Sequence, residues 1–122
     1  MPQPIALTPG DPAGIGPEII VRAFHEAPQV LAGCFVAGDV ALMRRASRMM
    51  ARHGYAAWPV AQLGAPAQAW HAPPHSLPVL QVQTLAADPP YGQISAAAGA
   101  FAAQCVTWAA RAALRQEIAA LV

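Results

Sequence analysis

"LTPGDPAGIGPEII", residues 7–20, sets three glycines, three prolines and two carboxylates between two apolar runs. On its amino side, Pro4–Thr8 ("PIALT") is a short apolar run that stops at Pro9, which reads as a buried first strand. On its carboxyl side, residues 17–25 read as a helix. Pro17 suits the first helical position, where a missing N–H costs nothing. Glu18 complements the positive helix start. Ile19, Ile20 and Phe24 can share an inward face. The stretch is therefore a strand-to-helix turn, and in open α/β sheets ligands sit beyond the carboxyl ends of strands.

Gly10, Gly14 and Gly16 permit backbone angles or close approaches that a Cβ would block. Pro9, Pro12 and Pro17 stiffen the loop and lower its ordering entropy. Asp11 can accept hydrogen bonds from a ligand or cap loop amides. A stiff turn of this kind can shape a ligand pocket, or it can be a tight βα connection with no ligand; spacing alone leaves both open. It is not a phosphate-binding loop of the Gly-Lys-Ser/Thr type. Nor does it fit G-x-G-x-x-G, because Gly14-Ile15-Gly16 leads to Ile19.

Beyond the turn, strand and helix patterns alternate. Cys34–Ala37 ("CFVA") is a second buried strand, and Asp39 is a good N-cap for a helix from Val40 to His53 that Gly54 ends. Leu42, Met43, Met49 and Met50 are its core side. Ala57–Val60 is a third strand weakened by Pro59. Residues 63–76 are proline-rich and irregular. Leu77–Thr84 alternates as a more exposed strand. A long alanine-rich helix runs from about Ser95 to Gln116, with Gly99 permitting close packing, and Ile118–Val122 begins another apolar strand. The helix is apolar nearly all round, as in helices buried within a larger assembly. The pattern is α/β in three layers, with a mixed sheet because no helix is evident between the two strands after Gly54.

Composition narrows the function. The 122 residues are about one domain, 56% hydrophobic, with a net charge of +1 carried by arginine alone. A near-neutral chain lacks the basic footprint of nucleic-acid binding. No segment has the length and apolarity of a membrane span, and "MPQPIALTPG" lacks a basic signal region, so a soluble cytoplasmic protein is expected. Cys34 and Cys105 lie in apolar stretches that suit buried thiols. His25 and His53 fall near helix ends, where positive charge is favoured. His71 and His75 are four apart, but Pro73 and Pro74 prevent a shared helix face, so a zinc pair there is disfavoured. Arg44, Arg48 and Arg52 share a helix face, as a phosphate- or partner-binding ridge or as a solvated face. Trp58, Trp70 and Trp108 read as core or interface anchors.

"TPGDPAGIGPEI" (residues 8–19) resembles the N-terminal signature of the 4-hydroxythreonine-4-phosphate dehydrogenase, or PdxA, family. It is more distantly similar to the "GDGIGPE" turn of isopropylmalate and isocitrate dehydrogenases. "VAGDVALMRRASRMM" and "YGQISAAAGAFAAQCVTWAARAALRQEIAALV" resemble later family blocks, so the likeness covers nearly the whole chain.

The resemblance implies part of an isocitrate/isopropylmalate dehydrogenase-like fold, and a cytoplasmic homodimer. It implies NAD- or NADP-dependent oxidation of 4-phospho-hydroxy-L-threonine with decarboxylation, in pyridoxine 5′-phosphate (vitamin B6) biosynthesis. A divalent metal (Zn, Mg or Co) assists, and the partner is a small phosphorylated substrate. Gly10, Asp11, Gly14, Ile15 and Gly16 would line the cofactor side. The similar isopropylmalate turn implies Ile15 against the adenine end. The family's Thr-(Ala/Gly)-Pro, Gly-His-Thr and metal-histidine motifs follow the "ALV" with which this chain ends. The expectation is an N-terminal segment, inactive alone, with no catalytic residue or metal ligand of its own. Alternatives are a PdxA-like dehydrogenase of aromatic catabolism and a non-catalytic oligomerisation or binding module.

Overall fold

A computed structural model describes residues 2–122. Five strands form one sheet in the order β3-β4-β2-β1-β5: β1 is Ile5–Leu7, β2 Cys34–Gly38, β3 Val60–Leu63, β4 Leu77–Gln81 and β5 Ala120–Leu121. Helices α1 (Gly16–Glu26), α2 (Val40–Ala51) and α3 (Ala96–Leu114) connect them. The α/β class is as the sequence indicates, but the mixed sheet is not: every described pairing is parallel. The proline-rich segment supplies the missing crossover. Pro66–His71 winds into a short 3-10 helix, and the connection around it is long enough to return the chain for parallel pairing.

Side-chain alternation sorts the strands' residues between two cores. Val36 of β2 and Leu77 and Val79 of β4 pack with Val21, Phe24, Met43 and Met50 on the face covered by α1 and α2. Ala6, Phe35, Ala37 and Leu80 pack with Ala109, Ala112 and Ala69 on the face covered by α3 and the 3-10 helix. The result is a three-layer unit. β4 is buried from Leu77 to Leu80, more than its alternating sequence indicates, because it lies between β3 and β2. Pro78 is tolerated there because pairing with β2 begins only at Val79.

The helices differ from the sequence reading in detail. In α1, Val21 and Phe24 face the core while Ile19 is 55% exposed, so the inward face is rotated away from Ile19. In α3, only Ala98, Phe101, Cys105, Ala109 and Ala112 are buried; they form one stripe at i, i+3 or i+4 spacing. Its outer side stays open, with Leu114 85% exposed, and Gly99 approaches nothing. No described helix is long and apolar enough to cross a membrane.

The tryptophans anchor loops to this frame. Trp70 lies flat over Gly33, whose φ is +79° and where a Cβ would sit 2.4 Å from the indole. Trp108 meets Phe35 edge-on at 6.3 Å. Trp58 is held between His25, at 3.9 Å, and His75, at 5.2 Å, while Tyr55 stands edge-on to His25. His25 lies in the last turn of α1, yet the helix end does not keep it charged. Burial holds its pKa below the ordinary 6.5; a hydrogen bond to the Ala56 backbone acts the other way, and His75 lowers it further.

A group held neutral in the fold makes stability depend on pH. As pH falls below about 6.5, the unfolded chain takes up the His25 proton before the folded chain does, so stability declines until the folded pKa is passed. Above about 6.5 this contribution is fully present. Glu26, whose pKa is lowered by the Tyr55 hydroxyl and Arg22, loses its contribution only in the acid range below its ordinary 4.5. Urea titrations should therefore show wild-type stability falling between about pH 7 and pH 5. His25→Phe should flatten that slope, and an equal slope in the variant would show that His25 is not its source.

Candidate functional site

The carboxyl ends of β1, β2 and β4 converge at the glycine–proline bend, the Gly38-Asp39 corner and Gln81. Pro9, Pro12 and Pro17 are fully buried, so the bend is fixed by packing as well as by its rings. Gly10 takes a left-handed φ of +72°. Gly16 is required by proximity: a Cβ there would lie 2.1 Å from the Pro9 carbonyl oxygen. Pro9 also presses on Gly38, where a Cβ would come within 3.2 Å of the proline ring. Thr8 donates through both its amide (2.7 Å) and its hydroxyl (2.9 Å) to the Val122 carbonyl oxygen, seating β1 beside β5.

Asp11 turns back on the bend. Its Oδ1 accepts from the Ala13 amide at 2.8 Å and its carbonyl from Gly14 at 2.9 Å, so Asp11 caps loop amides. Ile15 is the N-cap residue of α1, with no side-chain cap, and is 74% exposed. Ile19, one turn on, is exposed on the same side. The two form an apolar ledge. Glu18 stands in the first turn of α1, and its Oε2 is buried without a hydrogen-bond partner. A carboxylate at this helix start opposes a phosphate there. The ledge therefore suits an apolar or planar group better than a diphosphate.

Beside the bend lies a polar knot that sequence patterning did not assign to the site. Asp39 is buried and caps α2 through Ala41 at 3.3 Å. It also accepts from Gln81 Nε2 at 2.9 Å and from the Leu85 amide at 3.4 Å. Gln81 Oε1 accepts from the Val40 amide at 2.8 Å, and its Nε2 also donates to the Gln83 carbonyl and the Thr84 hydroxyl. The cap at Asp39 was legible; its tie to Gln81 spans 42 positions and was not. Leu42, Phe101 and Cys105 close the space below. Burial, with Asp39 adding, pushes the Cys105 thiol up to about 12, so it is no nucleophile. Cys34 packs in the opposite core, and both thiols are free.

The histidines gather elsewhere. His25 and His75 flank Trp58, and His71 ends the 3-10 helix. Among the described residues no three His, Cys, Asp or Glu side chains group closely enough to hold a metal ion. The residues present do not fit the divalent metal that the resemblance implies, and no chemical step is assigned to one here.

No family model matches the chain. A 4-hydroxythreonine-4-phosphate dehydrogenase of Trichlorobacter lovleyi is 35% identical over 124 residues, covering 98% of this chain and 35% of that protein. A D-threonate 4-phosphate dehydrogenase of Salmonella typhimurium is 35% identical over 126 residues, covering 96% of this chain and 35% of that protein. The crystal structure of a 4-hydroxythreonine-4-phosphate dehydrogenase from Klebsiella pneumoniae superposes with a TM-score of 0.81 at 30% identity, over 99% of this chain and 36% of that one. The chain thus spans about a third of the length of the proteins it matches.

The bend's geometry makes a graded prediction. Gly16→Ala must move the Pro9 carbonyl or the helix start, and should cost about 1–3 kcal/mol of unfolding free energy in urea titrations. Gly54→Ala, which meets no atoms but keeps a left-handed φ of +93°, should cost about 1–2 kcal/mol from backbone strain alone. The two differ in kind: only Gly16→Ala should shift the amide NMR resonances of Pro9's neighbours Thr8 and Gly10. Unchanged resonances there would refute the close approach.

Proposed function

We propose that this chain, a relative in sequence and fold of the 4-hydroxythreonine-4-phosphate dehydrogenase (PdxA) family, forms the cofactor-facing part of a nicotinamide-dependent dehydrogenase. The observation that carries this reading is the bend itself: a packed, glycine-dependent turn at the carboxyl end of β1 that presents Ile15 and Ile19 to solvent. A rigid apolar ledge offers van der Waals area to a flat ring at small ordering cost. Gly10, Asp11, Gly14, Ile15 and Gly16 shape it, with Ile15 against the adenine of NAD or NADP. Asp11 acts by holding the turn.

The proposed reaction of the whole enzyme is oxidation of the hydroxyl of 4-phospho-hydroxy-L-threonine, with hydride passing to NAD(P)⁺ and a proton released. The resulting β-keto acid loses carbon dioxide, leaving an amino-ketone phosphate for pyridoxine 5′-phosphate synthesis. A second reading is favoured by the Salmonella relative's name: the hydroxy-acid phosphate is D-threonate 4-phosphate. We further propose that the enzyme works as a homodimer and that this chain alone is inactive, because the matched region is about a third of its relatives' length.

A chimera tests this. The 122 residues replace the matched region of the Trichlorobacter lovleyi enzyme, and NADH formation is followed at 340 nm, a wavelength set by the cofactor. The chimera should turn over 4-phospho-hydroxy-L-threonine, whereas the chain alone should not. Ile15→Glu in the chimera should raise the KM for NAD about tenfold or more, with kcat changed far less, since it removes ground-state contact. An unaltered KM would remove Ile15 from the cofactor side.

A further inference from the structure

We propose that Arg45, Arg48 and Arg52, with Tyr91, form an anion site, separate from the bend, which takes a phosphate or diphosphate group. It does not depend on the reading of the bend. The three arginines and Met49 face a hollow of about 210 Å³ that Tyr91 closes from the β4–α3 connector. Pockets for whole drug-sized ligands are larger, roughly 300–1,000 Å³. The size suits a phosphate or diphosphate.

The charge distribution points the same way. Arg44, Arg45, Arg48 and Arg52 form no ion pair with any described carboxylate. The ion pairs among the described residues are Arg22–Glu26 and Arg115–Glu117, both remote in sequence. The buried Asp39 is engaged by Gln81 and Leu85, and Asp11 by its own turn. Like charges one turn apart, such as Arg48 and Arg52, destabilise a helix by a few tenths of a kcal/mol. α2 and its C-cap residue Arg52 together carry four guanidinium groups with no carboxylate partner among the described residues.

Tyr91 organises one of them. Arg45 Nε donates to the Tyr91 hydroxyl at 2.9 Å, and its Cζ lies 3.8 Å from the ring centroid. Arg45 Nη1 is left buried with no hydrogen-bond partner. An unsatisfied donor of this kind is costly, and a phosphate oxygen would satisfy it. Planar guanidinium forks match phosphate in geometry and charge, which a solvated charged face would not require. The sequence pattern groups Arg44 with Arg48 and Arg52; in the structure Arg45, not Arg44, joins Arg48 and Arg52 at the hollow beside Tyr91, while Arg44 and the other side of Arg48 border a separate hollow toward Trp58.

Calorimetric titration of the 122-residue chain with sodium pyrophosphate at low ionic strength tests the site. Binding should appear, weaken as salt is added, and be absent with sodium chloride at matched ionic strength. Arg48→Gln and Arg52→Gln should each lower the affinity about tenfold. Arg44→Gln removes the same charge from the same helix but lies outside the hollow beside Tyr91, and should keep affinity within about twofold. All three side chains are exposed, and circular dichroism checks that each variant folds. Inorganic phosphate and ADP titrations separate the sources: tighter binding of ADP than of pyrophosphate assigns the site to a nucleotide, and the reverse order to free phosphates. Equal losses in Arg44→Gln and Arg48→Gln would overturn the proposal in favour of a diffuse field. Absence of pyrophosphate binding to the folded wild type would overturn it outright.

Discussion

The Pro9 carbonyl stands so close to the backbone of Gly16 that residue 16 has no room for a side chain. With a Cβ at position 16 only 2.1 Å from that oxygen, strand and helix could not meet at this angle. The same proline ring bears on Gly38 across the sheet, so the bend is clamped between α1 and β2. Everything at the carboxyl end is set by that clamp. Ile15 and Ile19 project because the turn beneath them cannot relax toward the core. Asp11 is spent on the turn's own amides because the chain reverses within two residues. The connector after β4 joins the same corner, its Gly92 amide donating to the Ala13 carbonyl at 2.8 Å.

How much of this could be read beforehand follows from the range of each interaction. Local chemistry was legible: Pro17 inside the start of α1, Asp39 capping α2 and a long helix beginning near Ser95, whose hydroxyl, unread as a cap, accepts from Ala98 at 3.1 Å. Most strands were found because apolar runs bounded by glycine and proline are short-range signals, but the third, expected at Ala57–Val60, lies at Val60–Leu63. The sheet's direction was misread because the crossover between β3 and β4 is a 3-10 helix within a proline-rich run, which carries no 3.6-residue period. Helix faces were misread at Ile19 and along α3, because which side meets the sheet is a tertiary matter. Alanines fit either side, so α3 carries little sequence signal of its orientation. The bend was legible as rigid, and residue spacing alone could not say what it faces.

The polar knot of Asp39, Gln81 and Leu85 marks where sequence reasoning ends. Loops after β2 and β4 leave toward opposite faces of the sheet, one into α2 and the other toward α3. Adjacent strands that diverge in this way open a crevice, the usual place for a ligand in an open α/β sheet. Here the crevice is closed from within: Asp39 and Gln81 satisfy one another and four backbone amides or carbonyls, and Phe101, Leu42 and Cys105 fill the space. A fully satisfied buried network is stiff and has no vacancy for a ligand. The neighbouring bend on β1 stays open at this end, as does a hollow of about 580 Å³ past the end of β4, between Gly64–Ala67 and Trp108.

The apolar cavity of about 410 Å³ at the opposite, amino end of the strands is a competing place for a ligand. Its walls are Trp58, Trp70, Phe24 and several prolines, enough apolar area to hold a small ring. Specific binding also needs placed polar groups to fix orientation. Two of those on its wall are already engaged: Ser76 Oγ donates to the Pro73 carbonyl, and Trp70 Nε1 to the Pro2 carbonyl at 2.9 Å. His75 is stacked toward Trp58 and held at a φ of 60°. The cavity is therefore better described as the imperfect seam where the proline-rich crossover lies over α1 and β2. The bend has the reverse character, with little enclosed volume but an exposed apolar edge held rigidly in place.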